Sequence, residues 1–86
     1  MGLRYTPAGL ARLELKIQHE STQQEAGSMR QVRCVIPALA LGAVAEQLAR
    51  LPAGQHLQVM GFLAQRSAKI AQLVMHIENI TVEFQE

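Results

Sequence analysis

The sequence predicts an all-β fold: a small curled barrel of short antiparallel strands with one short helix between its middle strands. Three observations carry this prediction. Leu13, Leu15, Ile17 and His19 alternate with Arg12, Glu14, Lys16 and Gln18, the period-two pattern of a half-buried strand. The period changes once, between 41 and 51, where Val44, Leu48 and Leu51 recur at helical spacing among alanines. Gly61 then interrupts a later alternating stretch, as a residue with no side chain to pack does at a bulge or barrel corner.

The elements follow in order. Residues 1–9, MGLRYTPAG, hold Pro7 and two glycines without periodicity and read as a leading loop. LARLELKIQHES, from Leu10, is the cleanest strand, and the polar STQQEAGS after it reads as a turn region. MRQVRCVIPA is rich in β-branched residues. Arg30, Val32, Cys34 and Ile36 share one face of it, and Met29, Gln31, Arg33 and Val35 the other. Pro37, lacking an amide hydrogen, is expected to end this strand. The helix covers 41–51, and the PAG at 52–54 stops it. In QHLQVMGFLAQR, Leu57, Val59 and Leu63 oppose His56, Gln58, Met60 and Phe62. The last strand places Leu73, Met75 and Ile77 on one face, kinks near Glu78 and Asn79, then continues with Ile80, Val82 and Phe84. Phe62 and Phe84, among apolar neighbours, are expected in the core.

Composition bounds the rest. Eighty-six residues make one domain, 1–86, with room for a single core. The chain is 49% hydrophobic, and its 17% of charged residues falls below the roughly 25% of ordinary domains, so much surface must be apolar or neutral-polar. Burying such surface against a second copy is a common remedy in so short a chain, and an oligomer is expected. The net charge of +1 favours no polyanion by itself; what matters is where the cations sit.

Cys34 is alone and cannot form an internal disulfide; its place with Val32 and Ile36 predicts a buried, inert thiol. No secretory or membrane-spanning segment is present, so a soluble cytoplasmic protein is expected. No pair among His19, His56 and His76 has metal-ligand spacing, and no nucleophile or phosphate-loop motif occurs. Neither metal, cofactor nor enzymatic activity is expected.

Read in order, LRYTPAG, LELKIQHES, QQEAGSMRQVRCVIPA and GFLAQRSAKIAQLVMHIENI resemble the primosomal replication protein N (PriB) family of bacterial replication restart. The most specific stretch runs from HES through EAG into an Arg-Gln strand with a central cysteine, ending at proline; GF and H-x-E-x-I downstream reinforce it. The resemblance implies an OB-fold barrel related to bacterial single-strand-binding protein, used as a homodimer without catalysis. It implies binding of single-stranded DNA and of the PriA helicase, with hand-over toward DnaT. Family members carry a base-stacking aromatic where this chain has Arg33 and another near Ser28; this chain has neither. They also have a complete first strand before the loop that here is LRYTPAG. The reading is therefore that the first strand is incomplete, either because the true start lies upstream, which is preferred, or because this is a shortened form, and that a neighbouring copy covers the exposed edge.

Within that fold the candidate nucleic-acid contacts are Arg12, Lys16, Arg30, Arg33, Arg66 and Lys69. Parity puts Arg12 and Lys16 on the polar face of the first long strand, and Arg33 opposite Cys34. The tip QRSAK flanks the same groove of an OB barrel, placing Arg66 and Lys69 to meet phosphates. Arg33 can stack its guanidinium plane on a base, with weaker binding than an aromatic gives. Tyr5 either stacks on a base or covers a core edge. The alternative function is an adaptor that binds proteins and has little or no affinity for DNA.

Overall fold

Alternation carries the chain into β2 (Ala11–Glu25), β3 (Ser28–Leu41), β4 (Leu57–Gln65) and β5 (Leu73–Val82), preceded by a two-residue β1 (Arg4–Tyr5) and interrupted by α1 (Ala43–Ala49). The computed structural model describes residues 2–84. The strands form one curled sheet in the order β1-β2-β3-β5-β4. β3 and β5 pair in parallel over Ala38–Ala40 and the other neighbours are antiparallel. This is the five-stranded OB arrangement, with the helix between the third and fourth strands. Among the described residues β1 and β4 do not pair, so the barrel is open between them.

The helix expected over 41–51 spans only Ala43–Ala49, Leu41 still belonging to β3, and three other boundaries differ from the sequence reading. The polar segment expected as a turn is strand as far as Glu25, and Ala26 and Gly27 alone reverse the chain. Both have positive φ, 51° and 82°, the requirement of a two-residue hairpin turn whose twist matches its strands. Pro37 does not end β3; it pairs with Lys16 and the strand continues to Leu41. β5 joins β3 only from Ala38 onward, so a proline just before that point faces an edge that no strand of the described residues occupies, where a missing amide hydrogen removes no ladder bond. The segment read as a leading loop also contributes β1, in which Arg4 and Tyr5 pair with Arg12 and Ala11.

The core is Ala11, Leu13, Ala38, Ala40, Ala45, Leu48 and Ile77, ringed by half-buried Leu15, Ile17, Leu57, Val59, Met75 and Ile80. Its small residues let α1 sit close against the sheet, burying Ala45 and Leu48. At Gly61 the ladder slips: Met60 faces Asn79, but Gly61 faces Ile77, leaving Glu78 as the extra residue of a bulge. A Cβ on Gly61 would run into the backbone carbonyl of His76, so only glycine lets the two strands approach there.

The β2–β3 hairpin outruns this core. Beyond Gln18 and Val35 it is a two-stranded arm with no third strand beside it among the described residues. Cys34 therefore lies exposed, correcting the expectation of a buried thiol. Phe62 and Phe84 also lie outside the core, 52% and 91% exposed. Phe62 is on the face opposite Val59 and Leu63, and Phe84 follows the end of β5.

Candidate nucleic-acid interface

The long ladder of β2 and β3 has two faces, and parity decides which cations share one. Leu13, Leu15 and Ile17 turn to the core, so Arg12, Glu14, Lys16 and Glu20 project from the outer face. On β3 the outer positions are Arg33, Val35, Pro37 and Leu39, because their register partners are Glu20, Gln18, Lys16 and Glu14. Arg12, Lys16 and Arg33 thus lie on one surface. Arg30 does not. It faces Gln23 on the other side of the arm, with its Nε 2.9 Å from Glu25 Oε1.

Arg66 follows β4 at the far edge of the sheet, yet its guanidinium comes to this outer surface. Its Nη1 donates to Glu14 Oε1 at 3.2 Å, and its Nε donates to Gln72 Oε1 at 2.7 Å. Arg12 Nη2 donates to the same Glu14 oxygen at 3.1 Å. One carboxylate thus holds two guanidinium groups from opposite ends of the sheet. The hydrogen bond and charge of Arg12, then those of Arg66, keep the Glu14 carboxyl below its ordinary value. The residual charge of the trio is positive, so the cluster still attracts an anion. Arg4, the register partner of Arg12, lines a cleft of about 360 Å3 with Gly2, Arg12 and Glu14. Sequence reading did not single out Arg4, because it assigned residues 1–9 to a loop with no partner strand.

Arg33 lies farther out, its Nε 3.7 Å from Glu20 Oε1. Glu20 lies six positions along β2 from Glu14, a span of roughly 20 Å at about 3.3 Å per residue. Lys16 lies between them, exposed and outside any ion pair among the described residues. The surface pairs are weakly held. Both partners of each are solvent-exposed, where an ion pair contributes little and yields to competing salt.

The β4–β5 tip is ordered by its own backbone. Arg66 N donates to Gln72 O at 2.9 Å, and Ser67 Oγ accepts from the amides of Lys69 and Ile70 at 3.3 and 3.1 Å. Lys69 projects from this loop, exposed and also outside any ion pair among the described residues. Tyr5 is 60% exposed beside the β1–β2 ladder.

Sequence reading also missed an aromatic pair. Phe62 and His76, register partners on β4 and β5, stack with ring centroids 4.8 Å apart and planes 6° from parallel. The pair continues a row across four strands, Glu14, Leu39, His76 and Phe62, on the outer face. The available signal was parity itself, since Phe62 alternates with Leu63 in step with Gln58 and Met60.

Comparison with known proteins bears on the whole surface. Residues 1–79 match a family described as another single-strand binding protein family. The chain is 38% identical over 79 residues to the replication restart protein PriB of Nitrosomonas europaea, covering 92% of this chain and 73% of that protein. It is 45% identical over 76 residues to PriB of Bordetella pertussis, covering 88% of this chain and 71% of that protein. Among solved structures it superposes on PriB from Ralstonia solanacearum with a TM-score of 0.84 at 36% identity, over 98% of this chain and 85% of that one. It superposes on the single-stranded DNA binding protein of Thermus aquaticus with a TM-score of 0.73 at 29% identity, over 95% of this chain and 43% of that one. With a curled OB sheet and relatives this similar over most of both lengths, the chain belongs to the PriB replication restart family.

Proposed function

We propose that this chain binds single-stranded DNA in replication restart, as a non-enzymatic accessory whose nucleic-acid track is the outer face of β2 and β3. The observation that carries this reading is the collection of Arg12, Lys16, Arg33 and Arg66 on one surface by a protein whose net charge is only +1. A backbone following that surface meets cations spaced along the strand, with Lys69 at the neighbouring tip and Arg4 beside Arg12. Arg30, turned to the other face, is left out of the track. Such contacts carry little base specificity.

The reading extends to a cytoplasmic homodimer that holds DNA beside the primosomal helicase PriA and toward DnaT. The family supports this, as does an exposed apolar edge at Met60, Leu63 and Leu73 that suits a protein partner. A second reading is favoured by one observation: Arg12, Arg33 and Arg66 each already have a carboxylate partner, which suits an adaptor with little DNA affinity.

Fluorescence polarisation of a labelled thirty-nucleotide oligothymidylate across a salt series separates the two. The DNA reading predicts binding at low salt that weakens with a log-log slope of about −0.7 per phosphate contact. Absence of binding at 20 mM salt leaves only the adaptor.

A further inference from the structure

The exposed stack of Phe62 on His76 has no use in the core, and the phosphate track does not need it. Phenylalanine at the edge of a sheet normally turns inward, because exposing its ring forgoes the transfer free energy of a large apolar side chain. Here parity forbids that, since Leu57 and Val59 hold the core-facing positions of β4 and Phe62 is of the opposite parity.

The geometry leaves one aromatic surface free. His76 covers one face of the phenyl ring, with the planes 6° from parallel. β4 has no strand on its far side among the described residues, so no neighbouring strand covers the opposite face. The half-buried His76 backs the ring, and a ring already packed on one face has less rotamer freedom left to lose on stacking another plane.

The register row Glu14, Leu39, His76 and Phe62 sets this ring three strands from Glu14, roughly 14 Å at about 4.8 Å per strand. Glu14 is the residue that gathers the Arg12 and Arg66 guanidinium groups. The same outer face thus offers cations for phosphates and, beside them, a flat apolar plane.

From this juxtaposition we propose that Phe62, backed by His76, is a nucleobase-stacking platform on β4. The proposal rests on the single-strand reading above and adds to it the contact that recognises bases rather than phosphates. Any base suits it, since every base has a π face.

The chain contains no tryptophan, so Phe62→Trp introduces a single indole fluorophore at the platform. Its emission is expected to be quenched by a thirty-nucleotide oligothymidylate and left unchanged by inorganic polyphosphate, which has charges but no bases. By polarisation, Phe62→Ala and Phe62→Leu are both expected to weaken binding, roughly 5- to 100-fold, while Phe62→Tyr retains it. The salt slope should be the same in all of them, because no phosphate contact is touched. Leucine keeps the apolar bulk and lacks only the plane, so a loss in that variant is not a folding failure.

Wild-type binding with undiminished affinity in Phe62→Leu, or an unquenched indole while polarisation reports binding, overturns the platform and leaves the phosphate track standing. Failure of the wild type to bind the oligomer overturns the single-strand reading and the platform together. A Phe62→Ala variant that binds DNA normally but sediments as a smaller species overturns the platform in favour of contact between copies.

Discussion

Arg66 Nη1 and Glu14 Oε1 lie 3.2 Å apart, joining the start of the β4–β5 tip to the outer face of β2. The tip therefore does not stand free. Its first arginine is shared with a carboxylate that also holds Arg12, and a phosphate arriving at either guanidinium must compete with Glu14.

Replacing that carboxylate should release both arginines. Glu14→Gln is expected to bind the thirty-nucleotide oligothymidylate more tightly than wild type at low salt. Its log-log salt slope should be steeper by about 0.7 for each guanidinium that then meets a phosphate. Polarisation across 20 to 200 mM salt reads both quantities, and an unchanged slope would show that Glu14 restrains neither arginine.

The same pair sets a pH dependence. Arg12 first, and Arg66 after it, hold the Glu14 carboxyl below its ordinary value. A depressed folded-state pKa means that the stabilisation is present above the unfolded value and is lost as pH falls through the folded one. An NMR titration should place the Glu14 midpoint below that of glutamate in a short peptide. Arg12→Ala should raise it more than Arg66→Ala, in keeping with the order of the two causes.

The arm's turn is strained at one residue. Ala26 has φ of 51°, a left-handed conformation that an L-residue with a Cβ adopts reluctantly. Ala26→Asn, giving the Asn-Gly dipeptide such turns favour, is expected to raise stability by roughly 1 kcal/mol. Urea unfolding would show it as a higher midpoint with an unchanged slope. Gly27, at φ 82°, should tolerate no such replacement.

Gly61 is the opposite case. A side chain there meets the His76 backbone carbonyl, which cannot move without opening the β4–β5 ladder. Gly61→Ala is expected to lose about 3 kcal/mol. Because the disturbed strands carry Phe62 and His76, DNA affinity should fall with stability, whereas Ala26→Asn leaves it unchanged.

Much of this architecture is legible in the sequence because period-two alternation is a local signal. It places Leu13, Leu15 and Ile17 inward, and it separates Arg30 from Arg33. Gly61 and the kink at Glu78 mark the two sides of one bulge, and both can be read before the strands are paired. What sequence does not show is how far pairing extends. The polar run to Glu25 is strand only because β3 lies opposite it, and the arm it forms exposes Cys34, an inward-parity residue with no core to enter. Phe62 is misplaced for a related reason: apolar neighbours in the chain are not neighbours on a face. The Glu14–Arg66 contact, between residues 52 apart, depends on the curl of the sheet, and no spacing rule anticipates it.

The central claim is that DNA follows the outer face of the β2–β3 ladder, and Arg30 and Arg33 test it most directly, being three residues apart on opposite faces with one carboxylate partner each. The measurement is the affinity of Arg33→Gln and Arg30→Gln for the thirty-nucleotide oligomer at one low salt concentration. The account predicts that Arg33→Gln weakens binding several-fold while Arg30→Gln stays close to wild type. Equal losses, or the larger loss in Arg30→Gln, would contradict it.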